Sequence, residues 1–161
     1  MLEEVPLSRD HARRKFDCGS RELNHFIRRF ACPNQELGVS RTYVLVDSDE
    51  PRRIRGYYTV STGQLEASQL TPEHQARLPR YPVPVIRMGR LAVDSAFQRH
   101  GYGKYLIGSA VTRAREVRKA VGVVAIVVDA KDDAAAAFYQ KYGFTRCDDN
   151  PLTLYLMLGN D

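Results

Sequence analysis

Residues 121–130 read VGVVAIVVDA, an almost unbroken apolar run. A strand with one face in water alternates apolar and polar residues, so this run predicts a strand covered on both faces. The neighbouring segments supply the cover. From Tyr102 to Arg118 the apolar positions Leu106, Ile107, Ala110, Val111, Ala114 and Val117 recur at spacings of three and four, which predicts an amphipathic helix. DDAAAAFYQKYGF predicts a second helix, stopped at Gly143 by a C-cap glycine. With VIRMGRLAVD (85–94) and LTLYLML (152–158) as strands, the order is strand, helix, strand, helix, strand. The fold class is therefore α/β (α+β), a mixed sheet flanked by helices.

The first half fits the same sheet. VPLS reads as a short opening strand, and CGSRELNHFIRRFA as a helix with Ser20 as N-cap and Leu23, Phe26, Ile27 and Phe30 on its apolar face. RTYVLVD (41–47) and IRGYYTVST (54–62) are rich in β-branched and aromatic residues, and DSDEPRR between them is hairpin-type punctuation. LTPEHQARL predicts a short helix with Thr71 as cap and Pro72 at its first position. The three prolines of PRYPVPV exclude regular helix and central strand there, because they remove backbone donors. At 161 residues, one domain over 1–161 is expected.

No run approaches the roughly 20 apolar residues of a membrane span. The start, MLEEVPLSRD, is acidic and lacks the apolar centre of a signal peptide. Cys18, Cys32 and Cys147 are odd in number and lack CxxC spacing, which argues against a disulfide framework or a zinc site. No metal is expected, and a reducing cytoplasm fits. The net charge of +5 is unevenly placed. Residues 1–73 carry 11 basic and 11 acidic side chains, whereas 74–119 carry 10 basic and 2 acidic. Arginine outnumbers lysine 19 to 5, and its planar fork suits phosphate oxygens. A polyanionic partner or cofactor and a solvated basic face both account for this.

The basic third contains FQRHGYGKYLI (97–107), where a predicted strand passes through a short loop into the long helix. The first N–H groups of a helix have no internal acceptor and the dipole is positive there. An anion would be held by those donors, and glycines at 101 and 103 would let it approach. The spacing is neither GxxxxGK[ST] nor GxGxxG, so on glycines alone a plain turn serves equally well.

Three pieces taken together resemble the GNAT acyltransferase superfamily. QRHGYG is similar to its pyrophosphate loop [QR]-x-x-G-x-[GA], at Gln98, Gly101 and Gly103. RLAVD resembles its acyl-CoA strand, and AAAAFYQKYGF its A-x-x-F-Y-x-x-x-G-F closing motif. LNHFIRRFA, SRTYVLV, GYYTVS and LPRYPVPVIRMGRLAVD extend the resemblance to GNAT toxins of bacterial toxin–antitoxin modules, of the TacT type, over roughly residues 10 to 158. Members of that subgroup acetylate the α-amino group of aminoacyl-tRNA and stop translation.

The resemblance implies a GNAT fold, a mostly antiparallel mixed sheet with acyl-CoA bound between splayed central strands. It implies acetyl-CoA as cosubstrate, with Leu91, Ala92 and Val93 presenting backbone to the pantetheine arm. Gln98, Arg99, His100, Gly101, Tyr102, Gly103 and Lys104 would surround the pyrophosphate. Tyr139 aligns with the tyrosine that protonates the departing thiolate. It further implies a ribbon-helix-helix (DUF1778-like) antitoxin, operator DNA reached through that antitoxin, and a homodimer.

The residues add to this independently. Thioester aminolysis needs a neutral amine and an acid for the thiolate, and a tyrosine titrating near ~10 can supply the acid. Packing at a helix end is the other role open to Tyr139. Glu66 is the only carboxylate near the end of its strand, as a base or as a solvated loop acid. An α-amine near ~8 needs less help to lose its proton than a lysine near ~10.4, so the lack of a strong base suits an α-amino acceptor. Arg77, Arg80, Arg87 and Arg90 exceed what CoA needs and are assigned to tRNA phosphates, with at least one expected in a structural ion pair. His11, His25 and His74 read as surface residues. Acetylation of a small-molecule amine or a protein, and non-catalytic acyl-CoA binding, remain the alternatives.

Overall fold

A computed structural model of the chain describes residues 1–159; Asn160 and Asp161, the end of the expected domain, lie outside the described residues. The elements follow in the order β1 (Leu2–Pro6), α1 (Arg21–Arg29), α2 (Ala31–Leu37), β2 (Arg41–Asp47), β3 (Gly56–Leu65), α3 (Pro72–Gln75), β4 (Val83–Val93), α4 (Tyr102–Arg118), β5 (Ala125–Asp129), α5 (Asp133–Lys141), β6 (Thr145–Arg146) and β7 (Thr153–Met157). The sheet has seven strands in the order β1-β2-β3-β4-β5-β7-β6. β1–β2, β2–β3, β5–β7 and β6–β7 are antiparallel, and β4–β5 is parallel. The parallel register runs from Val85–Ala125 to Met88–Val128, while β4 itself continues to Val93.

Packing divides the chain into two compact units, Met1–Ser61 with Gly89–Ala110, and Thr62–Met88 with the residues from Val111 onward. In the first, Phe16, Phe26, Ile27, Val44, Ile54 and Tyr57 form the core with Ala92. Each fully buried side chain of this size contributes roughly 1.5–3 kcal/mol. Ser20 caps α1 by accepting the Leu23 N–H, as expected. In the second, Leu65, Leu70, Val83, Val85, Val127 and Tyr155 share a core.

Several expectations require correction. β5 starts at Ala125, four residues into its apolar run, because Val121 is 58% exposed and the Arg118 guanidinium donates to the Val123 carbonyl at 2.7 Å, closing a turn. PRYPVPV was expected outside any central strand, yet β4 begins at Val83 and includes Pro84. The proline is the second residue of the strand, and its carbonyl accepts the Val124 N–H at 2.9 Å. A missing donor is tolerated at a strand's start. No element is expected from sequence between Ala31 and Arg41, where α2 forms with Pro33 in its first turn, a place that requires no N–H. Phe30, expected on the apolar face of α1, is 49% exposed at the junction of the two helices. Thr71 stands at the N-cap of α3 without capping it, and its hydroxyl meets His74 Nδ1 at 3.1 Å instead.

Candidate active site

The β4–α4 connection is held by its neighbours on both sides. Asp94 is a buried carboxylate that accepts the Ala96 and Asp17 N–H groups at 2.9 and 3.1 Å. The Asp94 N–H donates to the Arg55 carbonyl, and the Ser95 N–H to the Asp17 carbonyl. Gln98 then turns its side-chain amide back onto the Val93 and Cys18 carbonyls, at 3.0 and 3.1 Å. Gln98, assigned from sequence to the cofactor, thus fastens the loop to the end of β4.

With the loop fixed, its backbone enters the left-handed region twice, at Arg99 (φ 68) and Gly101 (φ 79). Such a φ strains a residue with a Cβ by about 1–3 kcal/mol, and it persists only where the surroundings enforce it. Gly101 is glycine for this reason, since an added Cβ there would meet nothing within 4 Å. The Tyr105 N–H donates to the Gly101 carbonyl at 3.1 Å, so α4 starts here and the amides of its first turn lack intrahelical acceptors. The first turn holds no acid. Arg99, His100 and Lys104 are exposed around it.

Sequence reasoning missed the residues that orient this helix start. Arg55 donates to the Tyr102 hydroxyl at 3.1 Å and lies 4.3 Å above the Phe97 ring, which stacks on Tyr102. Arg53 covers the same ring at 4.8 Å. Donors, a dipole and a positive field thus converge on one exposed point, an arrangement chemically suited to a phosphate or pyrophosphate. Leu91 and Val93, on the adjoining β4, are partly exposed, and Ala92 is buried in the core.

Tyr139 lies in the last turns of α5, which Asp132 caps by accepting the Ala135 N–H. It is 7% exposed, between the rings of Phe138 and Phe144. The other buried tyrosines spend their hydroxyls on the protein: Tyr57 on the Leu23 carbonyl, Tyr58 on Glu4, and Tyr155 on His74. The Tyr139 hydroxyl has no hydrogen-bond partner among the described residues. Burial pushes it up to about 12, so it carries its proton across the physiological range.

The four arginines assigned to tRNA do not form one set. Arg77 and Arg80 are exposed. Arg87 forms an ion pair with Asp129, which also accepts the Thr153 hydroxyl, and so is the expected structural pair. Arg90 lies 3.8 Å over the Phe26 ring, within the first unit. Glu66, weighed as a base, caps a turn: its carboxylate accepts the Gln69 N–H while the Gln69 side chain accepts its own. Two of the histidines read as surface residues are half-buried and bonded. His11 Nδ1 accepts the Ser8 N–H, and His74 Nδ1 is 2.7 Å from the Tyr155 hydroxyl. Among the described residues no three His, Cys, Asp or Glu side chains are placed to hold a metal, and no helix is long and apolar enough to cross a membrane.

Comparison with known proteins adds four findings. The acetyltransferase (GNAT) domain family matches residues 38–146. A tRNA-acetylating toxin of Mycobacterium tuberculosis is 32% identical over 143 residues, 89% of this chain and 84% of that protein. Among solved structures, AtaT complexed with acetyl-methionyl-tRNAfMet is 27% identical with a TM-score of 0.92, covering 98% of this chain and 95% of that one. A mutant of the AtaT toxin bound to acetyl-CoA and the C-terminus of the antitoxin AtaR is 25% identical with a TM-score of 0.83, over 98% and 93%.

Proposed function

Because the chain belongs to the GNAT acetyltransferase family, we propose that it transfers the acetyl group of acetyl-CoA to the α-amino group of an aminoacyl-tRNA, and so acts as a toxin that stops translation. The acetyl-CoA pyrophosphate sits on the free amides that begin α4. The backbone of Leu91 and Val93, both partly exposed residues of β4, pairs with the pantetheine arm. The amine attacks the thioester carbonyl carbon, the C–S bond breaks, and the thiolate takes its proton from Tyr139. The nitrogen sheds a proton to solvent, and solvent restores the phenol. The observation that carries this chemistry is Tyr139 itself, a buried tyrosine that keeps its proton at neutral pH and whose hydroxyl has no hydrogen-bond partner among the described residues.

The acceptor follows from the relatives and from amine chemistry. With Glu66 committed to its turn, no strong base is identified, and an α-amine near ~8 is already about a tenth neutral at pH 7, against well under a thousandth for a lysine. The proposed domain spans residues 1–161 and works in the cytoplasm as a homodimer. Its antitoxin is a ribbon-helix-helix protein that blocks transfer and brings the toxin to operator DNA. Support for an antitoxin comes from AtaT, whose structure with AtaR this chain resembles.

The test is transfer of labelled acetyl from acetyl-CoA to purified charged tRNA. Mild alkali should release the label as an N-acetylated amino acid. Transfer to free amines or proteins but to no charged tRNA would overturn the proposal.

A further inference from the structure

The charge count of residues 1–73 is balanced, but the fold separates its signs. A short helical turn, Arg13–Lys15, puts three consecutive cations on the surface of the first unit. They line a cleft of about 480 Å³ together with Arg28 and His11. A second cleft of about 680 Å³ shares Ala12 and Lys15 with the first and adds Arg52 and Arg53. The two therefore adjoin at Ala12 and Lys15. Their linings hold seven lysines and arginines against one carboxylate, Glu50.

Local bonds set these cations in place. Arg28 donates to the Phe16 carbonyl at 2.6 Å, and Arg52 Nε to the Asp10 carbonyl at 2.9 Å, each through one of several donors. Arg9 is neutralised by Glu36. Arg14 and Lys15 are exposed and form no ion pair among the described residues. His11 accepts the Ser8 N–H through Nδ1, and burial lowers its pKa, so at neutral pH its other ring nitrogen carries the proton as a donor. Arg53 covers Phe97, which joins the far end of the surface to the β4–α4 loop.

We infer that this double cleft is a docking surface for the sugar-phosphate backbone of the tRNA substrate, an inference that rests on the acceptor proposed above. A run of phosphates fits it better than the one remaining phosphate of CoA, because the cations extend over two clefts whereas CoA presents a single 3′-phosphate beyond its pyrophosphate. Contacts of this kind position a nucleic acid without reading its sequence. The surface takes up the role that sequence had assigned to Arg87 and Arg90.

The test compares the wild type with the Arg14→Glu/Lys15→Glu double variant and the charge-preserving Arg14→Lys/Lys15→Arg variant. Equilibrium binding of uncharged tRNA is measured alongside steady-state acetylation. Charge reversal should weaken tRNA binding and raise KM for charged tRNA about tenfold or more. The slope of log affinity against log salt should fall by about 1 for each lost phosphate contact. KM for acetyl-CoA should stay within twofold, and the charge-preserving variant should behave as wild type. Equal tRNA binding and an equal salt slope in the reversed variant would overturn the inference, as would a rise confined to the acetyl-CoA KM. A wild type that binds tRNA here but acetylates no charged tRNA would overturn the acceptor assignment instead.

Discussion

Tyr139 combines two properties that pull in different directions. Burial raises its pKa to about 12, which guarantees the proton but makes the phenol a weaker acid than a free tyrosine. In the proposed reaction the proton therefore moves as the C–S bond breaks, with the thiolate's growing charge drawing it. Tyr139→Phe should lower kcat by about 10²–10⁴-fold, as expected for loss of general acid catalysis, while acetyl-CoA affinity measured by calorimetry stays within twofold. The pH dependence follows as well. kcat/KM should rise as the acceptor amine deprotonates, with no falling limb from Tyr139 below about pH 11; a falling limb near pH 8 to 9 would contradict the acid assignment. Stability has the opposite limit. A phenol raised from 10.0 to about 12 stabilises the native state fully below pH 10, and this is lost as pH climbs toward 12. The loss is on the order of 3 kcal/mol, and Tyr57, also raised by burial, adds to it. The residue itself was legible in AFYQKYGF. Its free hydroxyl was not, because that depends on groups distant in sequence that do not come near it.

The loop and helix start work because separate segments enforce a strained backbone. The bounds of α4 could be read from its apolar period, and Tyr102 is where the helix begins. The role of Arg55 could not, since 47 residues separate it from the Tyr102 hydroxyl it fixes. Gly101→Ala puts a Cβ on a backbone with φ 79 and no packing to gain. It should lower stability by about 1–2 kcal/mol, a melting shift of roughly 2–8 °C, and weaken acetyl-CoA binding. Arg55→Ala removes the hydrogen bond to Tyr102 and the cover over Phe97 together. KM for acetyl-CoA should rise several-fold with kcat less affected, and an unchanged KM would show that the helix start is set without it. Pro84 illustrates how punctuation misleads at this scale: a proline breaks a strand when interior, and here it occupies a starting position where the missing N–H is harmless.

For the whole molecule, composition was informative only after folding had sorted it. The excess charge of residues 74–119 drew attention to Arg87 and Arg90, which are held by Asp129 and the Phe26 ring. The N-terminal stretch was silent because its carboxylates balance its cations along the chain. In the fold, Arg14, Lys15 and Arg53 share clefts with few of those carboxylates. Sheet, helices and the β4–α4 loop were legible because their signals are periodic and local. Surface charge was not, because the fold decides which charges meet. The proposed acetyl acceptor is the α-amine of a charged tRNA. Incubating total charged tRNA with acetyl-CoA and the protein, then identifying released amino acids by mass spectrometry, tests it most directly. At least one amino acid should gain an acetyl group of about 42 Da on its α-nitrogen, with Tyr139→Phe giving about a hundredth as much or less over the same interval. Unmodified amino acids on every tRNA, from an enzyme that still acetylates another amine, would contradict it.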